Sequence, residues 1–259
     1  MDIPRYLARI QYSRPIRPDI STLRGLHRAH MLSVPFENLD IGLRRPIRLN
    51  EAALWDKIVV QKRGGFCYEL NGLFAALLKE IGFHVTYLNG RVYGRDGNLG
   101  IDFDHLTLLV QAPQQSGRWL VDVGFGDSFN EPLSFEEPGE QLQDLRSYRL
   151  EQMPNGYVVW QRNYTGDWER QYFFDLQPRS FPINYEAGYL YHQTSPRSSF
   201  TRGDLISKAT PDGRVTLEGG RLIVTRNGQR SDRLVENREE YLELLKKYFE
   251  VVLVIHKGH

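Results

Sequence analysis

The sequence predicts an α+β protein in which helices come first, strands follow and a mixed segment ends the chain. Apolar residues recur at helical spacing before about residue 84, and the period then changes to two. A helical pattern returns only near the end of the chain. A doubly wound sheet would alternate strands and helices throughout, so this order favours the α+β class.

Helices are predicted over residues 19–33 and 50–60, where apolar residues are spaced by three and four. The first should end at Val34, because the proline that follows disfavours helical backbone in the residue before it. The strongest helical pattern begins at Cys67, and Gly82 is its predicted C-terminal cap. Its apolar stripe consists of Leu70, Leu73, Phe74, Leu77, Leu78 and Ile81.

Short apolar runs separated by Gly, Pro and Asn predict an antiparallel β region, which we expect to be a small barrel or a strongly curved sheet. Three further strands are predicted after a Ser- and Pro-rich loop that follows Thr194, and Asn237 is predicted to cap a last helix. The strand segments are HVTYLNGRVYG, HLTLLVQ, RWLVDVG, SYRLEQ, YVVWQR, QYFFDL, LISKAT, RVTLEG and RLIVTR.

Composition excludes several function classes. Lys and Arg number 33 against 32 Asp and Glu, which argues against sequence-independent binding of nucleic acid. A single cysteine cannot form an internal disulfide, which fits a reducing compartment. The N-terminal stretch MDIPRYLARIQYSRP has no signal-peptide core, and the apolar run 251–255 is too short to cross a bilayer. We therefore expect a cytoplasmic protein without membrane or nucleic-acid partners.

The single cysteine, Cys67, follows Gly64 and Gly65 at the predicted first turn of a helix. Unpaired N–H groups and the positive end of the helix dipole stabilise a thiolate there. The same N–H groups can hold the oxyanion of a tetrahedral intermediate. The glycines, which lack Cβ atoms, would let a substrate approach the sulfur. A small buried cysteine without chemistry is the alternative at this point.

His105 is the histidine best placed to serve as a base for this thiol. It opens the strand HLTLLVQ, and the returning strand RWLVDVG carries Asp122. Direct opposition of the two residues would centre the hairpin between Pro113 and Gln114, inside a turn-like stretch. A register shifted by two residues would leave them diagonal on the same face. Both registers predict an imidazole–carboxylate contact.

The remaining histidines give no sign of a metal site. His27 and His30 are predicted to be solvated on a surface helix, and His256 and His259 belong to the polar chain end. One cysteine with scattered histidines does not supply a ligand set, so we expect no metal.

Four motifs resemble those of the arylamine N-acetyltransferase family, bacterial type, and they occur in the order that the family has. RGGFCYELNGLF resembles its nucleophile motif and VPFENLDI its N-terminal signature. DHLTLLV resembles its histidine strand and LVDVGFGDS its aspartate strand. The resemblance is strong for residues 1–130 and weak after Phe200, where the long insertion of animal members is absent.

The resemblance implies a three-part fold with a cysteine-protease-like Cys-His-Asp arrangement between its first two parts. The implied parts are a helical bundle over residues 1–83, a central antiparallel β-barrel over 84–194 and a C-terminal α/β lid over 195–259. An ion pair between Arg63 and Glu37 is implied to brace the nucleophile loop. The family's reaction is a ping-pong transfer of acetyl from acetyl-CoA to the nitrogen of arylamines and arylhydrazines, or to the oxygen of N-hydroxyarylamines.

The implied roles are Cys67 as the nucleophile that carries an acetyl thioester, His105 as the proton shuttle and Asp122 as the residue that orients it. Gly124 and Gly126 would let the coenzyme chain approach the backbone, with the coenzyme phosphates largely toward solvent. Acetyl-CoA is implied as a co-substrate, with no tightly bound prosthetic group, and the protein is expected to be a monomer or homodimer. The implied substrate-binding residues are Phe36, Tyr68, Phe125 and Phe200.

Two alternatives stay open on the sequence. A thiol hydrolase or an amide synthase would use the same three residues on another acyl donor. A binding module without catalysis would keep Cys67 as a structural residue.

Overall fold

Two antiparallel sheets and seven α-helices make up the described part of the chain, residues 1–144, 146–162 and 166–253 of a computed structural model. The predicted α+β class is confirmed, with helices first, a curved antiparallel sheet next and a mixed segment last. Within those ranges, no helix combines the length and apolarity needed to cross a membrane.

The N-terminal helices follow the predicted pattern closely. Val34 is the C-cap of the second helix, as the proline after it predicts, and Gly82 ends the fifth with a φ of 108°. The helix predicted over 50–60 begins as α-helix and continues as a π-helical turn, Asp56–Val60. The elements are α1 (Ile3–Arg9), α2 (Ile20–Ser33), β1 (Phe36–Glu37), α3 (Leu39–Gly42), α4 (Glu51–Trp55) and α5 (Cys67–Ile81).

Helix α5 is buried on nearly all sides. Its predicted apolar stripe packs into the main core, where Leu70, Leu73 and Phe74 are fully buried. The polar side chains of Glu69 and Asn71 are buried as well. Because a buried polar group is costly unless it is hydrogen-bonded, these two side chains must find partners inside the protein.

The central sheet is a nearly closed barrel whose edge strands are joined by one glutamine. The amide of Gln141 accepts the backbone N–H of Ser134 and donates to its carbonyl, both at 2.8 Å. The strand order is β5-β4-β3-β2-β9-β8-β7-β6. The strands are β2 (His84–Val92), β3 (His105–Gln111), β4 (Trp119–Val121), β5 (Leu133–Ser134), β6 (Gln141–Gln143), β7 (Arg146–Met153), β8 (Gly156–Arg162) and β9 (Trp168–Phe174).

The C-terminal sheet includes a strand from the N-terminal part of the chain. Its order is β1-β10-β11-β12-β13, and Phe36 on β1 pairs with Ser207 on β10. Asn237 caps the last helix as predicted. The division into three parts at residues 83 and 194 stays a prediction. The remaining elements are α6 (Glu186–Thr194), β10 (Leu205–Thr210), β11 (Gly213–Glu218), β12 (Arg221–Arg226), β13 (Gln229–Leu234) and α7 (Arg238–Phe249).

Replacing Gln141 with leucine should destabilise the barrel, because the backbone N–H and carbonyl of the buried Ser134 would lose their partners. We expect the free energy of unfolding to fall by about 2 to 6 kcal/mol, since each of the two unsatisfied buried groups costs about 1 to 3 kcal/mol. Urea denaturation measures this change. Gln152→Leu, on the exposed end of β7, is the matched control. Equal losses in the two variants would contradict the closing role of Gln141.

Candidate active site

Cys67 is the first residue of α5 and lines a cavity of about 660 Å³. Phe66 before it is extended, and the Glu69 carboxylate accepts the Phe66 N–H at 3.1 Å, which fixes the start of the helix. The thiol is 3% exposed, so it reaches the cavity while most of its surface is packed against protein. The helix N-terminus therefore faces the space in which a substrate could bind.

The two glycines before the cysteine are needed for packing. A Cβ on Gly64 would lie 1.9 Å from the carbonyl oxygen of Pro35, and a Cβ on Gly65 would lie 2.7 Å from the Glu69 side chain. Neither glycine is among the residues that line the cavity. The expectation that they make room for a substrate was wrong, because the protein itself fills the space beside them.

His105 and Asp122 form a buried pair, with Nε2 of the imidazole 2.6 Å from Oδ2 of the carboxylate. The predicted contact is present, but direct opposition of the two residues was wrong. Strands β3 and β4 pair Leu109 with Leu120, which is the register shifted by two residues, and Asp122 lies just beyond the end of β4. The pair is therefore diagonal, as the second register allowed.

Asn71 holds the carboxylate from the side of the helix. Its amide nitrogen donates to Oδ1 of Asp122 at 2.8 Å and to the carbonyl of Leu106 at 2.6 Å. Its amide oxygen accepts the N–H of Val123 at 2.9 Å. The backbone N–H of Gly124 also donates to Oδ1 at 3.0 Å. One side chain of α5 thus ties the helix to β3 and to the segment after β4.

Burial and charge shift the pKa of His105 in opposite directions, and they do the same to the pKa of Asp122. Burial lowers the pKa of His105, but the charge and hydrogen bond of Asp122, together with Cys67, outweigh it and raise this pKa to about 10. Burial raises the pKa of Asp122, and His105, Asn71 and Gly124 together bring it below its ordinary value. At neutral pH the pair is an imidazolium and a carboxylate. Since Nε2 faces Asp122, Nδ1 is the ring nitrogen left for Cys67, whose charge also contributes to the raised pKa of His105.

Most of the other predicted site residues share the cavity with Cys67. Phe36 and Phe200 have ring centroids 5.9 Å apart, and Phe125 lies edge to face with His105 at 5.2 Å. Tyr68 lies outside the cavity lining and is fully buried. Its hydroxyl donates to the carbonyl just before β3, that of Phe103, at 2.6 Å. The predicted residues that line the cavity are Phe36, Gly124, Phe125, Gly126 and Phe200.

Residues beside the cavity form polar contacts with the C-terminal sheet. Asp127 lies 2.9 Å from Nε of Arg214 on β11 and 2.6 Å from Nη1 of Arg146 on β7. Arg214 also donates to the carbonyl of Gly126. These contacts fix the glycine-rich segment between the barrel and the last sheet.

A buried ion-pair network lies behind the nucleophile loop. Arg63 contacts the Glu37 carboxylate at 2.7 Å, which is the pair that the resemblance implies, and Asp40 at 3.0 Å. Lys57 extends the network to Asp40 at 2.7 Å and to Glu69 at 2.8 Å. Because Glu69 also caps α5, the network supports the start of the nucleophile helix.

The sequence analysis did not place His27 or His192 near the site. His27, predicted to be solvated, is fully buried, and so is His30. That prediction was wrong because both rings lie on the face of α2 that packs against the core. His192 on α6 lines the cavity, with Nε2 3.0 Å from Oδ1 of Asp104 and its ring 5.1 Å from that of Phe200.

The described part of the chain contains no cluster of side chains suited to bind a metal ion. No three His, Cys, Asp or Glu residues there come together in a group that could hold a metal ion. His256 and His259 lie outside the described residues.

Comparison with known proteins decides the family. A family model described as N-acetyltransferase matches residues 19–257. An arylamine N-acetyltransferase of Mycolicibacterium smegmatis is 36% identical over 258 residues, which cover 98% of this chain and 93% of that protein. The chain belongs to the arylamine N-acetyltransferase family. The predicted family is thus confirmed, and with it the class of enzyme, an acyltransferase.

Two further proteins are similar to this chain over nearly its whole length. The solved structure of the Mycobacterium marinum arylamine N-acetyltransferase in complex with CoA has a TM-score of 0.90 and 33% identity, and the match covers 96% of this chain and 93% of that one. The proansamycin X synthase of Amycolatopsis mediterranei is 29% identical over 252 residues, 95% of this chain and 96% of that protein.

The stability that His105 contributes to this N-acetyltransferase should depend on pH. Its pKa rises from 6.5 to about 10 on folding, so the contribution is complete below pH 6.5 and is lost as the pH rises toward 10. The free energy of unfolding of the wild type should therefore exceed that of His105→Gln most at pH 6, and the difference should shrink at pH 9 to 10. Urea titrations across this range measure it.

His84→Gln, a change at an exposed histidine on β2, is the control for that titration. A difference between wild type and His105→Gln that stays constant from pH 6 to pH 10 would contradict the charged His105–Asp122 pair.

Proposed function

We propose that this arylamine N-acetyltransferase takes acetyl from acetyl-CoA onto Cys67 as a thioester and passes it to the nitrogen of an arylamine or arylhydrazine. The observation that carries this proposal is that Cys67 and His105 line one cavity and that the His105 imidazole is hydrogen-bonded to the Asp122 carboxylate. A thiol, an imidazole and a carboxylate in that order are the parts that nucleophilic acyl transfer needs.

In the first half-reaction the Cys67 thiolate attacks the carbonyl carbon of acetyl-CoA, and a carbon–sulfur bond forms. N–H groups in the first turn of α5 stabilise the oxyanion of the tetrahedral intermediate. The bond to the coenzyme sulfur then breaks, and the His105 imidazolium gives its Nδ1 proton to that leaving thiolate. The products are acetyl-Cys67, neutral His105 and free coenzyme A.

In the second half-reaction the nitrogen of the arylamine attacks the acetyl carbon of the thioester. His105 accepts the proton that the amine loses, while Asp122 holds the imidazole through Nε2. The carbon–sulfur bond breaks, which releases the N-acetyl product and restores the Cys67 thiolate beside an imidazolium. The oxygen of an N-hydroxyarylamine can replace nitrogen as the attacking atom.

The cavity lining suits both substrates. The rings of Phe36, Phe125 and Phe200 offer apolar faces on which an aromatic amine can stack. Gly124 and Gly126 line the cavity, and the coenzyme chain can lie along their backbone. The complex of the Mycobacterium marinum relative with CoA supports coenzyme A as the acyl carrier for this chain as well.

Mass spectrometry of the intact protein tests the proposal directly. Acetyl-CoA without an amine should add one acetyl group, and peptide mapping should locate it on Cys67. Addition of an arylamine such as aniline should remove the label and yield acetanilide. Cys67→Ser should stay unlabelled under the same conditions, because a serine hydroxyl is far less ionised than a thiol. Failure to label the wild type with any short acyl-CoA would refute the proposal.

The three alternative functions predict different outcomes for the acetyl label, for transfer to an amine and for the Cys67→Ala variant. A thiol hydrolase would lose the label equally fast with and without an amine. An amide synthase would show little transfer to simple arylamines. A binding module with a structural cysteine would keep its function in Cys67→Ala.

A further inference from the structure

His27, on α2, forms hydrogen bonds with both ends of the segment 122–130, which begins with Asp122. Its Nε2 lies 3.3 Å from the backbone nitrogen of Asp122, and its Nδ1 lies 2.9 Å from the carbonyl oxygen of Asn130. A carbonyl can only accept, so Nδ1 carries the hydrogen, and Nε2 accepts the N–H of Asp122. The two backbone groups thus select one tautomer of the imidazole.

The surroundings keep this ring neutral. Burial lowers the pKa of His27 to about 4, against the opposing effects of the Asn130 carbonyl and the Asp122 charge. The ring is stacked with Phe129 at 5.6 Å and lies edge to face with Phe74 at 6.2 Å. A neutral imidazole retains the lone pair on Nε2 that the N–H of Asp122 requires.

The position of Asp122 explains why this contact matters. Strand β4 ends at Val121, whose partner in β3 is Leu108, so Asp122 lies beyond the last pair of the ladder. Its buried backbone N–H has to bond outside the sheet, and it bonds to His27. The segment 122–130 begins and ends at groups that this one side chain holds, and it contains Gly124, Phe125 and Gly126 of the cavity lining.

We infer that His27 is a positioning residue for the proton shuttle. By holding the backbone of Asp122 from α2, it aims the carboxylate at Nε2 of His105. The inference rests on the proposed function, in which Asp122 orients His105 and the imidazolium supports the Cys67 thiolate. No contact of His27 with either substrate is required.

His30 provides a matched control on the same helix. It is also fully buried, and its ring also lies edge to face with Phe74, at 5.2 Å. Its Nδ1 lies 3.2 Å from the hydroxyl of Tyr6, in the helical bundle. Loss of His30 should therefore cost packing and stability without releasing the backbone of Asp122.

The test compares His27→Asn, His27→Gln and His30→Asn. The amide of glutamine reaches as far along the side chain as Nε2 of histidine, so it can still accept the N–H of Asp122, whereas asparagine is too short. The readouts are the pH dependence of Cys67 alkylation by iodoacetamide and the single-turnover rate of acetylation by acetyl-CoA. A loss of stability alone moves the unfolding temperature and leaves the alkylation midpoint in place.

We expect His27→Asn to move the alkylation midpoint upward by about one pH unit and to slow acetylation at pH 7 about tenfold, because a displaced Asp122 stabilises the imidazolium less. His27→Gln should retain most of the wild-type behaviour. His30→Asn should keep the wild-type midpoint although it unfolds at a lower temperature.

An unchanged midpoint in His27→Asn, or an equal shift in His30→Asn, would overturn the positioning role. Failure of the proposed function is distinguished from this result, because wild-type Cys67 would then not be acetylated at all. If His27→Asn does not fold, His27→Leu, which has no acceptor for the N–H of Asp122, takes its place with the same two readouts.

Discussion

The buried contact between His105 and Asp122 determines which elements must pack together around the cavity. Their side chains are 2% and 0% exposed, and two charges so far from water are tolerated only when hydrogen bonds satisfy them. The carboxylate accepts hydrogen bonds from His105, Asn71 and the Gly124 backbone, and the backbone N–H of Asp122 donates to His27. These donors and acceptors come from α2, α5 and the barrel, so the pair is complete only when bundle and barrel have packed together.

Helix α5 links the thiol to this pair. Cys67 and Asn71 are four residues apart and lie on one face, so the same rigid element presents the sulfur to the cavity and holds the carboxylate. Gly124 completes the arrangement, since a Cβ there would lie 2.8 Å from Cα of Cys67. The segment after β4 can therefore lie directly against the start of the helix, and any side chain at Gly124 would push the carboxylate and the thiol apart.

The sequence predicted those features that a repeating pattern or a family motif carries. Helix α5 and most strands followed from periodicity, whereas β5, β6 and the wholly exposed β13, which is polar except for Leu234, have no apolar alternation to detect. The sequence left two hairpin registers open, and the structure has the one shifted by two residues, because a turn-like stretch fixes the hairpin centre only loosely. His27 and His30 were misplaced on polarity alone, although they continue the stripe of Leu23 and Leu26 at helical spacing. Asn71, a polar residue within an apolar helix, was likewise detectable from its position four residues after Cys67.

The C-terminal sheet forms part of the site. This sheet contains β1, which belongs to the N-terminal signature. Arg214 of the sheet forms an ion pair with Asp127 beside the cavity. Phe36 and Phe200 face each other across 5.9 Å, one from each end of the chain. The groups proposed to do the chemistry belong to α5, β3 and the segment after β4, whereas one wall of the cavity belongs to the last part of the chain. Substitutions after Phe200 can therefore reshape the space proposed for the amine while the thiol, imidazole and carboxylate keep their geometry.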